Sequence, residues 1–329
     1  MKVLLLANQP EKTTRLQMFR GTLEELGYEV AVPTFNTINW EKIARQAAKA
    51  VKSERPDVVH VFNVPDVIYR NLPKLRGSYF DKLIYDYRSP WGVELQVSFG
   101  AAGKVFGEHF EKGLAASSDA ITTVNTPLGD KVRSYVGSEE KDIHVIPNYP
   151  TRGFNQVEDD NGRDEDDGAI TFVGRVWKLE GVDRLVSVAK KLPEEEFWII
   201  GDGPFSWWYL FRKPENVKFL GWQPHEEVAR LVKRAKLCLI PRKENLLTPY
   251  ATDKSVWKLN EYLNLGKLVI ASGVTREEDR KNLMVVKSSQ LEKTIREHLN
   301  QKPEKLREED YRFWDMNREI IREVYEGLW

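Results

Sequence analysis

Of 329 residues only one, Cys238, is a cysteine. A lone thiol makes no disulfide within the chain and no cysteine-based metal site. Its setting, Lys236-Leu-Cys-Leu-Ile240, is that of a buried strand, where a thiol behaves as a small apolar side chain. Long apolar runs are missing as well. No run approaches the roughly 18 residues of a membrane span, and the apolar stretch at 3–7 is shorter than a signal-peptide core. A cytoplasmic protein is therefore expected. Charge of one sign is lacking too, because 50 Lys and Arg balance 50 Asp and Glu. No overall field draws such a chain to DNA or RNA, so nucleic acid is not an expected partner.

What is present is a repeating pattern. The length suits two domains of roughly 150 residues, which would leave a cleft between them. Short apolar runs at 3–6, 29–33, 58–62, 83–87, 120–124 and 144–146 alternate with amphipathic stretches at 14–26, 40–53, 106–117 and 128–135. This repeated switch of period predicts βα units and a mostly parallel sheet. An acidic, glycine-punctuated run, Asp159-Asp-Asn-Gly-Arg-Asp-Glu-Asp-Asp-Gly168, has no apolar surface to bury and reads as a linker. Beyond it the pattern restarts, with strands expected at 170–173, 197–200, 217–220, 237–241 and 268–271 and helices at 182–191 and 226–235. The stretch 308–328 reads as one long amphipathic helix rich in aromatic residues, whose apolar face needs a partner. The expected organisation is a first Rossmann-like domain over 1–154, a linker over 155–168 and a second Rossmann-like domain over 169–310. The helix at 311–329 is expected to pack on the first domain.

Three motifs stand at strand ends, where open α/β sheets bind ligands. Phe172-Val-Gly-Arg-Val-Trp-Lys178 places Gly174, Arg175 and Lys178 after the first strand of the second domain. A glycine admits a phosphate close to the backbone and the two cations oppose a diphosphate, although a turn with a solvated Arg has the same sequence. Ile199-Ile-Gly-Asp-Gly-Pro204 offers Gly201 and Asp202, the latter either a turn residue or a ligand contact. No G-x-G-x-x-G follows, which disfavours a nicotinamide enzyme. The third motif is Thr252-Asp-Lys-Ser-Val-Trp-Lys-Leu-Asn-Glu-Tyr-Leu-Asn-Leu-Gly-Lys-Leu-Val-Ile-Ala271. Thr252 or Asp253 is expected to cap a helix that stops at Gly266. The N–H groups of Lys254, Ser255 and Val256 would then face an anion. Glu261, two turns on, is placed either to accept two ribose hydroxyls or to stand as an exposed helix carboxylate.

In this order and spacing the motifs resemble the retaining GT-B glycosyltransferases of family 4, the glycosyl transferases group 1, over nearly the whole chain. Val173-Gly-Arg175, Gly181-Val-Asp183, Ile200-Gly-Asp-Gly-Pro204, Val217-Lys-Phe-Leu-Gly-Trp222 and Glu261-Tyr-Leu-Asn-Leu-Gly-Lys267 are similar to that family's donor-domain signature. Pro56-Asp-Val-Val-His-Val61, Ser118-Asp-Ala-Ile-Thr-Thr-Val124 and Val145-Ile-Pro-Asn148 are similar to its acceptor-domain pattern. The resemblance implies two Rossmann-like domains facing a cleft, with a nucleotide-diphosphate sugar held by the second and the acceptor by the first. It also implies transfer without a metal or other cofactor and a last helix that crosses back. Three positions depart from the pattern. Glu180 stands where the family has Lys, which leaves Lys178 to serve the diphosphate. Asp253 replaces the first Glu of the E-x7-E pair, and Arg88, in Leu83-Ile-Tyr-Asp-Tyr-Arg-Ser-Pro-Trp91, takes the place often held by His.

On this reading Arg175, Lys178 and the amides near Ser255 stabilise the leaving diphosphate. Arg88 orients the donor sugar or phosphate, Asp253 binds sugar hydroxyls and Glu261 holds the ribose. The expected donor is a GDP- or UDP-hexose, and the expected acceptor is a glycan or a lipid-linked molecule. The aromatic run 205–212 and the segment 98–110 are candidates for peripheral contact with the inner face of the membrane, or else pack under loops. Two rivals remain: a nucleotide-sugar epimerase of the same architecture, and a non-catalytic nucleotide-sugar-binding scaffold suggested by Glu180 and Asp253.

Overall fold

The computed structural model describes residues 1–137, 141–158, 168–204 and 206–329. The chain divides into two compact units, Met1–Asn148 with Trp314–Trp329, and Tyr149–Phe313. Most of the acidic run at 159–168, expected as the linker, lies outside the described residues, as does Phe205 of the aromatic run.

Unit 1 runs β1 (Lys2–Leu6), α1 (Thr14–Glu25), β2 (Glu29–Ala31), α2 (Trp40–Glu54), β3 (Val58–Phe62), β4 (Lys82–Tyr87), α3 (Trp91–Ser117), β5 (Ala120–Thr123), α4 (Thr126–Val136) and β6 (Asp142–Val145). The six strands pair in parallel in the order β2-β1-β3-β4-β5-β6. β3 is buried along its whole length, as expected where helices cover both faces of a sheet. Leu16, Phe19 and Leu23 of α1 and Ile43, Ala44, Ala47 and Val51 of α2 supply apolar stripes to that covering. Asn39 and Asn125 start α2 and α4 by accepting the N–H groups of Lys42 (3.1 Å) and Leu128 (2.9 Å). α3 begins well before the expected 106 and bends at Gly100.

Unit 2 begins with α5 (Arg152–Gln156) and continues β7 (Ile170–Val173), α6 (Val182–Ala189), β8 (Phe197–Ile200), α7 (Ser206–Arg212), β9 (Val217–Gly221), α8 (His225–Lys233), β10 (Leu237–Pro241), α9 (Trp257–Asn264), β11 (Val269–Ser272), β12 (Leu283–Val285) and α10 (Leu291–His298). Its parallel order is β12-β11-β10-β7-β8-β9. Two apolar clusters fill it, one carrying Phe154, Cys238 and Tyr262 and the other Phe172, Leu185 and Ile270. Burial pushes the Cys238 thiol up to about 12, so it stays protonated and inert in the core. Unit 2 takes residues 149–158 because Phe154 enters its core and Asn155 Nδ2 donates to the Asn264 carbonyl at 2.7 Å.

The single helix expected over 308–328 is broken. A 3-10 turn at Glu308–Asp310 and another at Trp314–Asn317 precede α11 (Arg318–Glu326). The interruption has a local cause. Asn264 bridges the backbone of Arg312, donating to its carbonyl (2.6 Å) and accepting from its N–H (3.2 Å), so those groups are lost to a helical ladder. α11 packs within unit 1, where Ile321, Val324 and Tyr325 are buried.

Candidate functional site

The strand order of unit 2 reverses between β7 and β10: β8 and β9 extend the sheet on one side of β7, β10 to β12 on the other. Loops leaving the carboxyl ends of two such strands diverge and leave a crevice, the usual ligand position of a doubly wound sheet. Gly174, Arg175, Lys178 and Glu180 follow β7, and Arg242 follows β10. Arg175 and Lys178 are exposed, and neither has an ion pair among the described residues; the Arg175 guanidinium lies 5.0 Å from the Trp177 ring centroid.

Gly174, expected to admit a phosphate, and Gly201, a candidate nucleotide-sugar contact, each face another group of the chain. A Cβ built on Gly174 (φ +146°) would lie 2.5 Å from Lys258 Nζ, so the space over its Cα holds an ammonium. On Gly201 (φ +133°) a Cβ would come 2.1 Å from the Gly174 carbonyl oxygen, so this glycine serves the contact between the β7 and β8 loops. Asp202 closes the following turn, accepting from Gly203 N and Ser206 Oγ, both at 2.6 Å.

Glu180 is the centre of the site's electrostatics. Its carboxylate accepts from Arg242 Nη2 (2.7 Å) and Lys258 Nζ (2.5 Å), although 78 positions separate Lys258 from Glu180. Burial alone would raise the Glu180 pKa, but Lys258 and Arg242 outweigh it and hold the group down at about 2. Burial lowers the pKa of Lys258, with the Glu180 charge opposing the shift. Lys258 stands inside the third motif without a role read for it there, and Arg242 stands outside all three; only the fold brings both to Glu180.

The third motif is rearranged relative to expectation. α9 starts at Trp257, with Val256 as its N-cap residue, several positions after Thr252 and Asp253. The Thr252 carbonyl captures the N–H groups of Ser255 (3.1 Å) and Val256 (3.0 Å), and its hydroxyl accepts from Lys254 N (3.2 Å). Those amides therefore close a turn on Thr252 and do not form the expected anion site. Asp253 is fully buried; its carboxylate accepts the backbone N–H groups of Glu277 (2.6 Å) and Glu278 (3.3 Å), bracing that loop. The expected contact of Asp253 with sugar hydroxyls is replaced by this brace, in which burial raises the carboxyl pKa and the two amides oppose the rise. The helix does stop as expected, with Gly266 at φ +72° after Leu265.

Glu261 is buried on α9 and not the exposed helix carboxylate of the alternative. Its Oε1 lies 2.7 Å from His225 Nε2 at the start of α8, and the His225 ring tilts against Phe154 at 4.6 Å. The bond to Glu261 raises the His225 pKa. His225 too was missed in the sequence; 36 positions lie between the pair.

In unit 1 the order reverses at β1 and β3, and Arg88 follows β4 close to that point. Arg88 Nε donates to the Asn63 carbonyl, while Asn63 Oδ1 accepts Arg88 N at 3.0 Å. Its Nη atoms have no partner among the described residues. Below it, Arg15 and Asp86 form a buried pair at 2.8 Å, and Arg15 Nη1 donates to the Ile146 carbonyl at 2.7 Å. That pair fixes the strand ends from which Arg88 projects.

Residues 154–308, a little under half of the chain, match the family model described as glycosyl transferases group 1. No curated protein matches the chain in sequence. Solved structures match over almost its full length. Sucrose-phosphate synthase from Thermosynechococcus elongatus superposes with a TM-score of 0.67 at 15% identity, covering 99% of this chain and 96% of the other. The Anabaena protein HepE, in complex with UDP and glucose, gives 0.60 at 13% identity over 98% and 95%. UDP-GlcNAc 2-epimerase from Methanocaldococcus jannaschii gives 0.57 at 14% identity over 99% and 100%. Unit 2 is thus similar to the glycosyl transferases group 1, and that match together with two parallel six-stranded Rossmann-like sheets supports a glycosyltransferase of GT-B fold.

Proposed function

We propose that this protein is a retaining glycosyltransferase that moves a hexose from a GDP- or UDP-sugar to a glycan or lipid-linked acceptor. The observation that carries the proposal is the concentration of Arg175, Lys178, Arg242 and Lys258 at the β7/β10 reversal of unit 2, with Glu180 joining Arg242 to Lys258. Breaking a sugar–diphosphate bond builds negative charge on the leaving group. Fixed cations that meet this charge lower the barrier without a metal ion or other cofactor. Arg175 and Lys178 are proposed to meet the diphosphate, and Glu261, steadied by His225, to accept the ribose hydroxyls. Arg88 is proposed, as the resemblance implies, to orient the donor sugar or phosphate. Retention and the hexose are taken over from the resemblance to family 4, and a nucleotide sugar from the likeness to a fold that holds UDP and glucose in HepE.

A lipid-linked acceptor and a peripheral place on the inner membrane face are supported by apolar side chains in water. Phe211 on α7 is 86% exposed and Phe99 on α3 is 70% exposed, with Trp207, Trp208, Val105 and Phe106 exposed beside them. No helix among the described residues is long and apolar enough to cross a membrane.

Calorimetric titration with UDP, GDP and ADP tests the donor site. One nucleotide is expected to bind at micromolar concentration and to lose at least about tenfold in affinity in Arg175→Ala, as removal of one charge-assisted contact implies. Binding of none would remove the donor assignment. The likeness to the epimerase sustains a second reading. Incubation with the nucleotide sugar separates the readings: a transferase slowly releases nucleoside diphosphate, an epimerase returns an isomerised sugar, and a scaffold leaves the donor unchanged.

A further inference from the structure

We infer that Lys258 supplies the diphosphate-binding cation that the sequence pattern leaves vacant at position 180, with Glu180 as its tether. The inference rests on the reading of unit 2 as a nucleotide-sugar donor site. Three observations support it. The Lys258 ammonium stands over the Cα of Gly174, so a chain element 84 residues further on presents its charge at the β7 carboxyl end, beside Arg175. A Cβ at position 174 would lie 2.5 Å from Nζ, so any side chain there would force the ammonium to shift.

The charge balance around it is uneven. Glu180 is shared by Lys258 and Arg242, so one carboxylate is divided between two cations, with Glu261 as the smallest of the influences on Lys258; Arg175 and Lys178 stand exposed in the same β7 loop without an ion pair among the described residues. Lys258 and Arg242 repel each other, and their partial burial removes much of the water that would screen them. A cluster of this kind is relieved by an anion of more than one charge, which a diphosphate is and a nucleoside monophosphate is to a smaller degree.

The geometry of the ammonium is also open. Lys258 is a three-fold donor, and one N–H is spent on Glu180 at 2.5 Å. No other hydrogen bond to its Nζ is made by the described residues, and its side chain keeps 13% of its surface in contact with solvent. The Phe172 ring, 4.3 Å from Nζ, covers one side of the ammonium. Glu180 fixes the direction of the side chain, and Arg242 keeps Glu180 in place. The same three side chains thus convert an acidic position into a cationic one.

The discriminating measurement is the ratio of affinities for a nucleoside diphosphate and the monophosphate of the same base, by calorimetry. In Lys258→Met the diphosphate is expected to weaken about 10- to 100-fold, the scale of one charge-assisted hydrogen bond, while the monophosphate changes less than about threefold. Lys258→Arg is expected to restore part of the preference. A double variant, E180Q with K258M, leaves no uncompensated carboxylate at position 180 and is expected to show the same loss of diphosphate preference, measured at a temperature below its own melting transition. A purely structural role for the trio predicts instead an unchanged affinity ratio in both variants, which would overturn the inference. If the ratio is unchanged but Arg175→Ala still abolishes binding, the donor reading stands and only the role of Lys258 falls. Absence of nucleotide binding by the wild type would remove both.

Discussion

At the scale of single residues, the chain's chemistry depends on which buried charges find partners. Glu180 has the ordinary value of 4.5 when unfolded and about 2 when folded. A depressed carboxyl contributes stability that is complete above pH 4.5 and is lost as the pH falls toward 2. The shift corresponds to a contribution on the order of 3 kcal/mol at neutral pH. Urea unfolding at pH 6, 4 and 3 is therefore expected to show a steep acid loss in the wild type, and a flatter one in Glu180→Gln. Equal slopes would mean that the trio does not form. His225 has the opposite sign. Its raised pKa makes the Glu261 contact strongest below about 6.5 and weaker as the pH rises through the folded value. Arg88, Asp86 and Arg15 show the limit of motif reading: Arg88 was named from its segment, but the buried Arg15 that orders the segment stands 71 positions before Asp86.

At the scale of elements, the strands and most helix starts followed from the periodicity, with α1, α2 and α6 beginning at the expected residues, whereas α3 and α9 begin elsewhere. β3, β7, β8 and β10 begin and end where the apolar runs do. α9 begins late because the Thr252 carbonyl competes for the first amides, a choice among local hydrogen bonds that a capping pattern does not resolve. The loops that form the crevice are held by close backbone contact. Gly181 (φ +83°) follows the turn at Lys178–Glu180, and a Cβ there would lie 1.8 Å from the Pro241 carbonyl oxygen. Gly181→Ala is thus expected to cost at least about 2 kcal/mol, from the left-handed backbone and the collision together. It should also weaken nucleotide binding, because Glu180 and Arg242 part as the β7 and β10 loops separate. Thermal unfolding with calorimetry checks this; a variant that melts and binds like the wild type would show that the loops tolerate separation.

At the scale of the whole molecule, unit 1 is completed by the far end of the chain. The Trp314 indole N–H donates to Thr22 Oγ1 at 2.8 Å, its ring packs on Phe19 at 5.6 Å, and the Tyr325 hydroxyl meets His60 Nδ1 at 2.6 Å. Burial of Trp314, Ile321, Val324, Tyr325 and Leu328, at about 1.5–3 kcal/mol each, is comparable to the entire stability of a typical domain. A chain ending at Phe313 is expected to lose hydrogen-exchange protection across β1 to β6 while β7 to β12 keep theirs. Uniform protection in the truncated chain would assign the tail a lesser part. The tail's aromatic richness was legible in the sequence. Its break at Arg312 was not, since the cause is the side chain of Asn264.

The sequence by itself determined the class of fold, the strand series apart from β12, and the glycines and cations at strand ends. Those properties depend on neighbours within a few positions, and periodicity registers them directly. Tertiary structure alone decided which of those ends meet. Strand order brings β7 beside β10, and this places Glu180 on Arg242 and Lys258, while the approach of α8 to α9 joins His225 to Glu261. Asp253 and the amides after it were turned inward by the same packing, because buried polar groups must find partners wherever the fold supplies them.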